Sequence, residues 1–158
     1  MKYFSIEEMC ASQDAAKRNI ANNPTGQIAD RIAETIEKAL DPIRAEWGSG
    51  IKVNSGYRCT KLNTAIGGSS TSAHTTGYAA DIVPSNGNMA ALQRLILKWA
   101  ETNAFDQIII EYPKGNIASW IHIGWKNNQG QQRRQILYTT NGKNYLPVSK
   151  GSAFYNVK

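Results

Sequence analysis

Gln107-Ile108-Ile109-Ile110-Glu111 is the run on which the reading of the fold turns. Three consecutive isoleucines show neither a helical nor an alternating period. Bounded by polar residues, they read as a fully buried central strand. Working outward, Ala79 to Val83 reads as a second buried strand. Leu92, Leu95, Ile96 and Trp99 mark an amphipathic helix between the two, with Asn88 as its expected N-cap. Trp120 to Trp125 alternates like a strand. Gln135 to Thr139 and Lys143 to Val148 flank Asn141-Gly142, a hairpin signal because both residues accept positive φ.

Toward the N-terminus, Ile28, Ile32, Ile36 and Leu40 recur every four residues and predict one apolar face of a long helix. Asp41-Pro42 is expected to kink or break it, since proline lacks the amide donor and crowds the preceding turn. Ile51 to Asn54 alternates as a short strand, and Cys59 to Ile66 forms a helical turn closed by Gly67-Gly68. Helices first and strands later predict an α+β fold, a mainly antiparallel sheet flanked by helices.

With 158 residues the chain reads as one domain, 1–158, able to bury roughly two thirds of its unfolded surface. Within it lies a motif core, 51–125, followed by a basic C-terminal hairpin, 126–158. A hydrophobic fraction of 41% excludes a disordered chain, and no run is long enough to span a bilayer. Met1 to Met9 has no apolar signal region, so the expected location is cytoplasmic until release. Two cysteines, Cys10 and Cys59, are too few for a disulfide framework and read as free, partly buried thiols. Beyond Glu111 there are seven basic residues and no acidic one. That asymmetry fits either an anionic partner or an ordinary solvated face.

The chain has two histidines, His74 and His122, both beside strand-like sequence. Asp81 follows His74 by seven residues. Two imidazoles and a carboxylate are the ligands of a catalytic zinc site with one open position. Spacing alone is also compatible with structural histidines and a turn-capping aspartate.

Ser72-Ala73-His74-Thr75-Thr76-Gly77-Tyr78-Ala79-Ala80-Asp81 resembles the S-x-H-x-x-G-x-A-x-D signature of the zinc D-alanyl-D-alanine carboxypeptidases. That family includes the L-alanyl-D-glutamate endopeptidases of phage lysins and shares its fold with the hedgehog signalling domain. Val53-Asn54-Ser55-Gly56-Tyr57-Arg58 resembles the family's S-G-Y-R element, and Trp120-Ile121-His122-Ile123 its W-x-H element. Phe4-Ser5-Ile6-Glu7-Glu8 and Asn23-Pro24-Thr25 are similar to a phage- and bacteroidete-type branch, so the likeness runs from about residue 4 to 125.

The resemblance implies Zn2+ held by His74, Asp81 and His122. It implies Arg58 on the substrate carboxylate or the oxyanion, and Ser72 on the substrate backbone. Gly77 would let the chain turn closely past the metal. Better-known members carry a catalytic carboxylate three residues before the last histidine, where this chain has Ser119. Glu111, at the end of the isoleucine strand and in phase with Gln107 and Ile109, takes that role as expected general base.

The function these readings imply is a zinc metallopeptidase cleaving a D-amino-acid-containing stem peptide of bacterial peptidoglycan, acting at the cell wall as a carboxypeptidase or endopeptidase. An anionic cell-wall polymer is a candidate partner for the basic segment. The alternative is a non-catalytic zinc module that binds peptide or cell wall. Nucleic-acid binding ranks last, because the basic third shows no recognition helix and no known motif.

Overall fold

The computed structural model describes all 158 residues. Two short helices, α1 (Ile6–Cys10) and α2 (Gln13–Lys17), are capped by Ser5 and Ser12, whose hydroxyls accept from the Glu8 and Ala15 amides. Helix α3 (Gly26–Thr35) carries the predicted apolar face. It runs through a π-helical turn (Ile36–Leu40) into α4 (Asp41–Trp47). Of the expected kink or break at Asp41-Pro42, the break does not occur, and the helix continues through a widened turn. The Asp41 amide reaches back five residues to the Ile36 carbonyl, and Pro42 sits in the first turn of α4. A π turn relieves the crowding of the proline ring without ending the helix. Ile32, Ile36, Leu40 and Ile43 remain in line and are fully buried. Each contributes about 1.5–3 kcal/mol of burial.

Strands β1 (Ile51–Ser55), β2 (Ala79–Pro84), β3 (Gln107–Glu111), β4 (Trp120–Gly124), β5 (Gln135–Thr139) and β6 (Leu146–Pro147) form one sheet in the order β1-β2-β4-β3-β5-β6. Every pairing is antiparallel except β3 with β5. The α+β class and the mainly antiparallel sheet are as the sequence predicts. Helix α5 (Thr60–Ala65) follows β1, and α6 (Met89–Trp99) joins β2 to β3, capped by the Asn88 side chain. One face of the sheet presents Ala80, Ile82, Ile108, Ile110, Ile121 and Ile123 to the helices. By strand alternation the other face carries Asp81, Ile109, Glu111, Trp120 and His122.

The C-terminal segment is more than a hairpin. Strand β5 continues the main sheet through β3, and β6 is only two residues long. The hairpin signalled by Asn141-Gly142 is present, β5 pairing antiparallel with β6. Gly142 alone has positive φ, +70°. The Thr139 hydroxyl accepts from the Gly142 amide, and the Asn141 side chain accepts from the Lys143 and Asn144 amides. These side-chain caps build a wider loop, 140–145, between the two strands. Three of the seven basic residues are engaged within the fold. Arg133 pairs with Asp106, Lys126 with Glu34, and Arg134 donates to the Ala100 and Glu101 carbonyls. Cys10 and Cys59 are both free and half-buried, as expected.

Candidate metal centre

The register of the sheet brings the candidate ligands together. Asp81 on β2 lies directly opposite His122 on β4, and His122 lies opposite Ile109 on β3. His74 arrives from a single 3-10 turn (Ala73–Thr76) just before β2. Gly77 ends that turn at φ +86°, where a Cβ would press on the Ile28 carbonyl and the Ile32 side chain at 3.0 Å. Glycine is thus required here both by conformation and by the close approach of α3. The buried Thr35 hydroxyl donates to the Gly77 carbonyl and fixes the turn to the helix.

One ligand atom from each of His74, Asp81 and His122 lies within 4.8 Å of the others, a spacing that could hold a metal ion. Asp81 Oδ1 is 3.4 Å from His74 Nε2 and 3.0 Å from His122 Nδ1. His74 Nδ1 sits 2.6 Å from the Gly56 carbonyl, which can only accept, so Nδ1 carries the proton. Nε2 then presents a lone pair to a carboxylate oxygen. Burial lowers the His74 pKa, ahead of the opposing pull of Asp81, and keeps the ring neutral. Two acceptors facing each other in a buried site call for a cation between them, and two imidazoles with a carboxylate suit zinc. Burial alone would raise the Asp81 carboxyl, but its surroundings, His122 Nδ1 at 3.0 Å among them, favour the carboxylate and hold it below the usual range.

The remaining predicted residues share the same cleft, about 650 Å³ in volume and lined by Arg58, Ser72 and Glu111 as well as the three ligands. Arg58 is held by its neighbours. Its amide donates to the His74 carbonyl. Buried Asn22 donates to the Tyr57 carbonyl and accepts from the Cys59 amide. The Arg58 guanidinium donates to Ser72 Oγ at 3.2 Å, while its buried Nε has no partner. Ser72 Oγ also accepts from the His74 amide, so it caps the turn and steadies Arg58 at once. Its own proton stays free to donate.

Glu111 is 9% exposed, and burial raises its pKa to about 7, against lowering by His122 and Arg58. Ser119, in place of the missing carboxylate, has a different task. Its hydroxyl donates to the Tyr112 carbonyl and its amide to the Glu111 carbonyl. Tyr112 itself adopts φ +45°, and these bonds hold that turn in place at the end of β3. Asp106 also borders the cleft, but its carboxylate is bound by Arg133 at 2.8 and 2.9 Å.

Sequence reasoning missed Asn22 and the aromatic wall of Tyr112, Trp120 and Tyr145. Tyr112 and Trp120 stack with ring centres 5.2 Å apart. The turn signal at Asn141-Gly142 was the one available hint that a loop meets this face.

Comparison with known proteins agrees with this geometry. A family model described as Peptidase M15 matches residues 2–124. No curated protein matches the chain.

Proposed function

The chain belongs to the peptidase M15 family, and from that premise we propose that it hydrolyses a D-amino-acid-containing peptide of bacterial peptidoglycan. Metallopeptidase activity and Zn2+ as cofactor come with the family. The finer reading rests on one observation: the His74–Asp81–His122 cluster shares its cleft with a buried carboxyl, Glu111, and a guanidinium, Arg58. His74, Asp81 and His122 are the proposed zinc ligands. Zinc bound there supplies a Lewis acid for the scissile carbonyl and acidifies water.

Glu111 takes a proton from the attacking water and passes it to the leaving amine. A pKa near 7 suits both halves of that transfer. Arg58, whose side chain lines the cleft, stabilises the oxyanion. The Ser72 hydroxyl donates to the substrate backbone. Exposed Lys114, Lys143, Lys150 and Lys158 are the basic residues left to attract anionic wall polymer, and the proposed place of action is the cell wall. No helix is long and apolar enough to cross a membrane.

The zinc-loaded protein incubated with purified muropeptides should release cleaved stem peptides, identified by mass spectrometry. Intact muropeptides across a broad panel would reject the hydrolase and favour the non-catalytic binding module.

A further inference from the structure

The cleft has a wall that lies outside the family-matched segment. The loop 140–145 between β5 and β6 brings Gly142, Lys143 and Tyr145 to the same cavity as Arg58, Glu111 and the candidate ligands. The loop is built rather than slack: Thr139 and Asn141 side chains satisfy four of its amides. Gly142 packs against the Tyr112 hydroxyl so closely that a Cβ there would collide with it. Tyr112 follows Glu111 directly and donates its amide to the Thr139 carbonyl, so the loop is registered to the catalytic strand.

Two groups on this loop have no structural task that uses them fully. The Tyr145 hydroxyl donates only to the Gly142 carbonyl of its own loop, at a long 3.3 Å. The Lys143 side chain is exposed and enters no ion pair. The other carboxylates of the cleft have partners of their own: Asp106 is bound by Arg133, and Asp81 belongs to the candidate ligand cluster. Arg58 and Lys143 remain against the single carboxyl of Glu111.

We infer that the β5–β6 loop is a substrate-recognition wall for acidic peptides, with Tyr145 donating a hydrogen bond to bound peptide and Lys143 supplying the counter-charge. This rests on the peptidase reading and names the class of peptide that the site prefers. Burial raises the Tyr145 phenol pKa, and Glu111 and Asp81 add to the effect, so the hydroxyl keeps its proton and stays a donor.

The test measures binding apart from turnover. In the zinc-loaded Glu111→Gln background, calorimetry compares a D-amino-acid tetrapeptide carrying free carboxylates with its fully amidated form. The loop account expects the acid to bind more tightly, by a margin that shrinks as salt rises. Tyr145→Phe should weaken both forms about five- to tenfold, the loss of one hydrogen bond. Lys143→Met should abolish the preference for the acid and spare the amide. Unchanged affinities and unchanged preference in both variants would overturn the recognition wall alone. No binding of either form would overturn the peptidase reading and the wall together.

Discussion

Glu111 and His122 stand on one face of adjacent antiparallel strands, two positions out of register: His122 lies opposite Ile109, and Glu111 lies opposite Trp120. The offset places a carboxyl next to the candidate metal centre without making it a member of the three-residue cluster. Glu111→Gln is isosteric, and should keep fold and zinc while lowering turnover by about two or more orders of magnitude. Single-turnover kinetics with zinc content measured alongside checks this. A near-normal rate would place the general base elsewhere.

The raised Glu111 pKa also has a sign in stability. Its folded value, about 7, exceeds the ordinary 4.5. Between those values the folded state holds a proton that the unfolded chain has released, so this group's contribution falls as pH rises. In metal-stripped protein the Tm of Glu111→Gln minus that of wild type should therefore be smallest near pH 4 and largest above pH 7. Asp81 acts the other way, losing stability toward acid, but it is common to both proteins and cancels in the difference. Thermal melts across this range read the result, and a flat difference would remove Glu111's burial as a cause.

Arg58 is aimed by Asn22, Ser72 and the backbone of His74. Its planar fork donates to Ser72 from one terminal nitrogen and lines the cleft. Arg58→Lys keeps the charge but not the fork, and should reduce kcat/KM by about tenfold or more with zinc retained. Steady-state kinetics of a zinc-replete sample reads this, and wild-type values would confine Arg58 to a structural role.

Gly77 links stability to the site. Gly77→Ala forces a side chain into a positive-φ position pressed against α3. It should cost about 1–3 kcal/mol in denaturant unfolding and weaken metal retention through the displaced His74 turn. Unchanged stability would show that the turn tolerates a Cβ.

Much of this was legible because it depends on periodicity and short motifs. Ile32, Ile36 and Leu40 announce a helix face by their period, and Ile108 to Ile110 a buried strand by their unbroken apolar run; both are buried in those elements. His74, Asp81 and His122 are named as ligands by the motif resemblance; strand register sets Asp81 opposite His122, and the turn before β2 brings in His74. What was not legible depends on long-range geometry. Pro42 signalled a kink or break because its missing donor is local, whereas the π turn that absorbs it depends on keeping Ile36, Leu40 and Ile43 packed in the core. Asn141-Gly142 signalled the hairpin, but not the width of its loop, which the Thr139 and Asn141 side chains set by capping the loop amides. Asn22 clamps residues 57 to 59 from more than thirty positions away, and no local pattern encodes that reach.

A cation held between His74 and Asp81 is central to the proposed chemistry. Elemental analysis of purified protein after mild dialysis, for wild type and His74→Ala in parallel, tests it most directly. One zinc per wild-type chain and none retained by the variant is the predicted result, because two ligands hold zinc poorly. Zinc retained undiminished by His74→Ala, or absent from wild type reconstituted with excess metal, would contradict it.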